Sequence, residues 1–402
     1  MQPTALHLAA AALVGFAAAA SADDVPDFHF IDRDLVRLSG ELVGLSDKSI
    51  QYRDASGRSR SLDRAKLLAA YTRRHHGPAV PTSLSVADSP GEIPGVLRLA
   101  DGQLVPGFLL TGDTAASSKA DVIRWRSRRV GPFVAPLDNV LALSLNDAPR
   151  PLEASKSDIV LLTNADRLEG FVESIGPELV IEVGGKNSTI LMDRVAWVQL
   201  SAKPTPASSQ LVYLTDGSIL AAKSIESSGT GLTVGWSLAG DDSTGVLDLG
   251  ALDAIVFEPA ALRPLAACEV LKQEPLQSRR WAPPITTQPI DDAPIGLAAI
   301  TIDGPMACEW RLPAGAKRLR ATISLPEAAR VWGNTTVNVA TAPRSGSFTK
   351  PQTFELSADK PEAELSIDCG GMDRLRIEVL GRGYDQVQVR AALLEPAILI
   401  AK

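Results

Sequence analysis

Leu97 to Leu109 reads LRLADGQLVPGFL. Apolar and polar residues alternate on both sides of Asp101-Gly102, a dipeptide that reverses a chain because glycine takes the positive φ of a tight hairpin. The stretch therefore predicts a strand, a turn and a second strand, with Gly107 just inside the second. The same order recurs in VLLTNADRLEGFV (Val160 to Val172) and VYLTDGSILAAKSI (Val212 to Ile225), and in weaker form in LVRLSGELVGL (Leu35 to Leu45). Gly40, Gly107 and Gly170 share one place in this order, with Ala222 there in the fourth copy. A small residue fits a sharply bent strand, where a side chain would strike its neighbour. A middle strand follows in each copy, for example Leu179–Val183 or Leu232–Trp236. A closing segment comes next: Ser61–Arg64, Pro136–Val140, Leu191–Val195 and Asp248–Leu252. Asp63, Asp138 and Asp193, with Gly250 in the fourth copy, suggest a capped one-turn helix before a last strand. These are divergent repeats of one small β domain.

The pattern resembles an SH3-like or Sm-like small barrel, over residues 32–72, 95–146, 158–201 and 210–258. That fold hosts many functions and implies no activity. Proline-, serine- and alanine-rich stretches separate the copies. The longest, residues 259–294, reads as a proline-rich linker that divides the chain in two.

From Ile295 the strands lengthen: Ile300–Ile302, Ala307–Leu312, Arg318–Leu325, Thr335–Ala340, Gln352–Leu356, Ala363–Ile367, Arg374–Val379 and Val387–Leu394. About eight strands in this length predict a jelly-roll β-sandwich. The fold class expected for the whole chain is all-β, tandem small barrels followed by that sandwich. The segment CEWRLPAGAKRLRATISL (Cys308 to Leu325), the strand Thr335–Val339, the run Ile367–Val379 and Gly383-Tyr384-Asp385 together resemble the NPCBM family. The family's Trp-containing end is replaced here by Val387–Ala391. The resemblance implies a galactose-binding-like sandwich over 295–402 that holds carbohydrate.

Composition bounds the rest. Hydrophobic residues make up 45% and charged residues 22% of 402 residues, a globular balance with matter for real cores. A formal net charge of −7 disfavours a nucleic-acid partner. Arg73–His76 and Arg124–Arg129 are short basic runs, read as solvated strand or loop edges. Leu8–Ala20 is an unbroken apolar run ending in Ala20-Ser21-Ala22 and then Asp23-Asp24. It predicts a signal peptide over 1–22, although Met1–His7 carries no Lys or Arg; a buried N-terminal helix is the competing reading. Secreted or periplasmic localisation follows, with no integral membrane segment after signal removal. Export places Cys268, Cys308 and Cys369 in an oxidising compartment. Either Cys308 pairs with Cys369, or all three are small buried hydrophobes.

Chemistry-bearing motifs are sparse. His75-His76 lie in a linker, the spacings of His and Cys match no metal site, and Asp241-Asp242 and Asp291-Asp292 are adjacent acids of the kind that point apart. No catalytic residue, cofactor or metal is expected. Sugars stack on aromatic rings while polar side chains meet their hydroxyls. Trp332, Asn334, Arg344, Arg382, Tyr384 and Asp385 fall in sandwich loops and form the candidate ligand-binding set. Trp125, Trp197, Trp236 and Trp310 lie in alternating strands and read as core. The expected function is an exported, non-catalytic binding protein recognising a glycan through the sandwich. The alternative is a structural or assembly protein whose barrels contact protein partners.

Overall fold

A computed structural model describes residues 27–72, 91–112, 121–145, 152–153, 155–205, 207, 210–228, 231–238, 241–289, 293–331, 334–381 and 389–401. The predicted signal segment lies outside them, as do His75 and His76. The all-β expectation holds: the described chain is strand, one-turn 3-10 helices and the four-residue helix α1 (Glu327–Arg330). None of its helices is long and apolar enough to cross a membrane.

Four units of five strands come first. The first unit holds β1 (Asp27–Asp32), β2 (Arg37–Leu45), β3 (Ser49–Arg53), β4 (Ser59–Asp63) and β5 (Leu67–Thr72). The second holds β6 (Glu92–Leu99), β7 (Leu104–Leu110), β8 (Val122–Ser127), β9 (Gly131–Pro136) and β10 (Val140–Leu145). The third holds β11 (Asp158–Leu162), β12 (Arg167–Ile175), β13 (Glu178–Val183), β14 (Lys186–Leu191) and β15 (Val195–Gln199). The fourth holds β16 (Gln210–Leu214), β17 (Ile219–Ser228), β18 (Gly231–Leu238), β19 (Asp241–Asp248) and β20 (Leu252–Val256). In each unit the first strand pairs antiparallel with the second and the fifth, and strands two to four form a meander.

The repeat signals have physical causes. A Cβ on Gly40, Gly107 or Gly170 would stand 2.4, 2.2 or 2.1 Å from the carbonyl oxygen of Arg53, Arg126 or Glu182 on the next strand. A ladder irregularity follows in three units, between Leu42 and Gly44, Val172 and Ser174, and Ala222 and Ser224. The second strand bends there and serves two neighbours. The first hairpin of every unit places one residue in the left-handed region: Leu35 (φ 58°), Gly102 (φ 89°), Ala165 (φ 69°) and Gly217 (φ 80°).

Two expectations about the units need correction. The first unit starts at Asp27, upstream of residue 32, and Leu35 is its turn residue, so Arg37–Leu45 is a single strand. A buried leucine at the turn removed the glycine signal that marked the other hairpins. All four units do carry a one-turn helix before the last strand, but only Asp63 and Asp248 cap it, on the N–H groups of Ala65 and Gly250. Asp138 and Asp193 sit inside the turn, because Pro136 and Leu191 hold the cap position.

One apolar core runs through all four units, with Phe28, Trp125, Ile181 and Trp236 among its members. Trp125, Trp197, Trp236 and Trp310 are all buried, as their alternating strands required. Last strands join the units in pairs: β5 lies against β20 and β10 against β15. Gln103 links the second and fourth units, its Oε1 accepting the Ala221 N–H at 2.8 Å. The basic run Arg124–Arg129 is engaged within the barrels. Arg126 pairs with Glu92, Arg129 with Asp216 at 2.8 Å, and Arg126 and Arg128 cover the Phe108 ring.

The rest of the chain is a two-sheet sandwich. Its strands are β21 (Leu262–Pro264), β22 (Val270–Pro275), β23 (Thr286–Thr287), β24 (Ile300–Asp303), β25 (Met306–Arg311), β26 (Ala316–Ser324), β27 (Thr335–Ala342), β28 (Gln352–Leu356), β29 (Glu362–Asp368), β30 (Arg374–Gly381) and β31 (Arg390–Ile400). One sheet runs β23-β24-β31-β26-β29 with β21 also on β31, and the other runs β22-β25-β30-β27-β28. Their inner faces share one core, Trp310, Val337 and Ile377 meeting Leu319, Ile323 and Leu393.

Residues 259–294 are therefore not a spacer. They supply β21, β22 and β23. Pro264 and Pro275 close short strands that each pair on one side only, where a missing N–H costs no ladder bond. Nor does the segment hold two bodies apart. Ile31 and Tyr71 of the first unit, Val256 of the fourth, and Leu262, Ile295 and Ala397 form a third apolar core between barrels and sandwich. Glu395, at φ 47° in β31, accepts the Tyr71 hydroxyl at 2.8 Å and lies 3.3 Å from Arg37.

The Cys308–Cys369 disulfide does not form; all three thiols are free. Cys308 is on the five-stranded sheet, whereas Cys369 follows β29 of the other. Packed sheets lie about 10 Å apart, beyond the roughly 4–7 Å between Cα atoms that a disulfide spans.

Candidate functional site

The chain leaves β22 on one sheet and enters β23 on the other, so residues 276–285 cross the open edge of the sandwich. One backbone and one side-chain hydrogen bond fix this crossing. Leu276 N–H donates to Pro305 O at 3.1 Å, and Ile285 N–H to Gln273 Oε1 at 3.0 Å. Beneath it lies the turn between β24 and β25, Asp303-Gly304-Pro305, with a cis Gly304–Pro305 bond. Only glycine fits at 304: a Cβ there would meet Val379 O at 2.6 Å and Val389 Cγ1 at 2.8 Å.

Crossing and turn, with α1 and the start of β31, line a half-open cavity of about 550 Å³. That lies within the range of small-molecule pockets, about 300–1,000 Å³. Its polar and aromatic walls are Ser278, Arg279, Trp281, Asp303 and Arg390. Trp281 is 63% exposed, while the four other described tryptophans are at most 3% exposed. A ring this open loses hydrophobic stabilisation in the free protein, and its place on a cavity wall gives it a surface to offer. The Arg279 guanidinium sits 5.2 Å from the Trp281 ring centroid. Its Nη1 donates to Asp303 O at 2.7 Å and Gly304 O at 2.5 Å, so the turn holds the cation and the cation holds the ring. Arg390 Nε is paired with the Asp303 carboxylate. The wall thus combines an open aromatic face with fixed hydrogen-bond donors.

The sequence-predicted set is only partly placed. Asn334 is exposed just before β27, and Arg344 is exposed just past its far end. Eight strand residues put them roughly 25 Å apart, so they do not converge on one surface. Arg344 N–H donates to Asp373 Oδ2 at 2.9 Å. Trp332, Arg382, Tyr384 and Asp385 lie outside the described residues. The cavity lining also includes Ala328 and Ala329 on α1, and Val389 and Arg390 at the head of β31. Arg279 and Trp281 escaped the sequence reading because their surroundings read as linker. One signal was present: of the six tryptophans, only Trp281 and Trp332 stand outside alternating strands.

A second polar cluster covers the outer face of the five-stranded sheet. Arg376 meets Glu274 and Glu309 at 2.7 Å and Glu378 at 2.9 Å, and its guanidinium lies 5.8 Å from the Phe348 ring centroid. Burial lowers the Arg376 pKa, but the carboxylates of Glu378, Glu309 and Glu274 outweigh it and leave the group above its ordinary range. Every charge here has a partner, so the cluster is a structural network. His29 is buried in β1 with Nδ1 2.9 Å from Ser39 Oγ. Among the described residues no group of His, Cys, Asp and Glu is arranged to hold a metal.

No family model and no curated protein matches the chain. Among solved structures it is similar to the CBM51-2 module with GlcNAc and INT domains of ZmpB from Clostridium perfringens. That match has 9% identity, 45% of this chain, 40% of that chain and a TM-score of 0.28. It is also similar to CBM51 of a Clostridium perfringens GH95 protein in complex with methyl-galactose, at 8% identity, 34% of this chain, 99% of that chain and a TM-score of 0.26. The tandem CBM51 modules of Sp3GH98 from Streptococcus pneumoniae match at 7% identity, 76% of this chain, 88% of that chain and a TM-score of 0.27. The chain spans about two fifths of the first of these. Likenesses of this depth carry no argument about the fold or ligand of this chain.

Proposed function

We propose that this chain is an exported, non-catalytic glycan-binding protein that holds its ligand in the cavity beside Trp281. The observation that carries the reading is the 63% exposed indole on the wall of a 550 Å³ cavity, flanked by the fixed donors of Arg279 and Arg390. A pyranose lays its C–H face on such a ring, and donors held by backbone carbonyls meet its hydroxyls without an ordering cost at binding. The NPCBM-like pattern of residues 308–379 points to the same ligand class. The four five-stranded units, read as SH3-like small barrels, are the platform on which the sandwich is mounted. The apolar run Leu8–Ala20 supports export, with cleavage after Ala22.

Glycan-array binding of the full chain tests the reading, followed by calorimetry on each positive. Trp281→Ala is expected to lower affinity at least tenfold, as loss of a stacking platform does. A folded wild-type chain that binds no glycan, or a Trp281→Ala variant that binds as well as wild type, overturns it. Export is tested separately: N-terminal sequencing of the exported product is expected to begin at Asp23.

A further inference from the structure

The charge inside the cavity selects among glycans. The walls carry two cations, Arg279 and Arg390, and one carboxylate, Asp303. Asp303 is committed to Arg390. Arg279 spends its Nη1 on the carbonyl oxygens of Asp303 and Gly304, which are neutral acceptors. Among the described residues no carboxylate lies within ion-pair distance of Arg279; its other contact is the face of Trp281. Among the described residues, then, one positive charge of the cavity has no carboxylate partner, on a chain whose formal net charge is −7. That charge lies against the ring on which a sugar would stack, and the half-buried guanidinium cannot swing away without breaking two hydrogen bonds.

Resting on the glycan reading above, we infer that the ligand is an acidic glycan, its sugar stacked on Trp281 and its carboxylate on Arg279. A carboxylate accepts from a guanidinium through charge-assisted bonds about twice as strong as neutral ones. A neutral sugar in the same place leaves the cation without a counter-charge and loses that gain. The arrangement discriminates by charge, and the aromatic face supplies affinity shared by both kinds of sugar.

The test compares matched pairs on the full chain. Calorimetry is run with oligosaccharides ending in glucuronate, galacturonate or sialate, each beside its own carboxyl methyl ester, which keeps the ring and removes the charge. The acid is expected to bind at least about tenfold tighter than its ester, and the difference is expected to shrink as salt rises. Arg279→Gln is expected to erase the difference between acid and ester. Trp281→Ala is expected to weaken both forms. Acid and ester binding alike, or an Arg279→Gln variant that keeps the preference, overturns the acidic ligand and leaves the glycan reading standing. Binding of neither form in any pair, where neutral glycans bind on the array, also overturns it. No binding on the array or in the pairs overturns both.

Discussion

Ala165 is an alanine in a position built for glycine. Its φ of 69° matches Gly102 and Gly217 in the equivalent turns, and its side chain is exposed. A left-handed L-residue costs about 1–2 kcal/mol, and a glycine gives back roughly 0.5–1 kcal/mol of unfolded-chain entropy. Ala165→Gly is therefore expected to stabilise the protein by about 0.5–1 kcal/mol, read as a higher denaturation midpoint. Leu35 holds the same conformation but is buried in the core between barrels and sandwich. Removing its side chain costs about 2–5 kcal/mol of packing, so Leu35→Gly is expected to destabilise. The three thiols behave by burial. Burial pushes Cys308 and Cys369 from the ordinary 9.0 up to about 12. A raised thiol pKa means stability fully present below pH 9 and lost as pH climbs from 9 toward 12. Native protein at pH 8 is expected to leave Cys308 and Cys369 unlabelled by a thiol reagent. Denatured, unreduced protein is expected to yield three thiols; a yield of one would restore the disulfide.

At the scale of elements, the bent second strand is the feature the sequence displayed best. Gly40, Gly107 and Gly170 were recognisable by recurrence because a Cβ at each would collide with a backbone carbonyl, which no rotamer relieves. Gly170→Ala is expected to cost roughly 2–3 kcal/mol, whereas Ala222→Gly in the fourth unit is expected to cost about 1 kcal/mol or less. Chemical denaturation of the two variants checks the contrast. Elements without a local signature were missed. β1 precedes a turn that has no glycine. The strands β21, β22 and β23 are short, end in proline or lie among prolines, and owe their pairing to long-range partners. The cavity suffered for the same reason. Arg279 and Trp281 become a site only because β22 and β23 belong to different sheets, and a strand's choice of sheet is a tertiary fact. Asn334 and Arg344 failed to meet because a loop assignment gives no length for the strand between them.

For the whole molecule, the boundary between barrels and sandwich has a practical consequence. A fragment starting at Ile295 lacks β21, β22 and β23, which exposes the edges of β24 and β25 and removes the Leu262 contact with Leu399. It is expected to be less stable than one starting at Pro259, and to be cleaved faster in limited proteolysis. Both fragments are expected to fall below the full chain, since the third apolar core and the Tyr71–Glu395 hydrogen bond join the halves.

The pairing of last strands also orders events in time. The first unit joins the fourth, and the second joins the third, so the partnerships are nested like brackets. The inner pair can close as soon as β15 is made. The outer pair waits for β20. At synthesis rates of about 5–20 residues per second, the edge of β5 stays open for roughly 10–40 s after its own unit is complete. Through that interval an apolar strand, fully buried in the finished protein, is available to any other chain with an unpaired edge. Newly made copies are therefore most vulnerable to mispairing before the fourth unit emerges, and chains truncated between residues 72 and 252 keep that edge permanently.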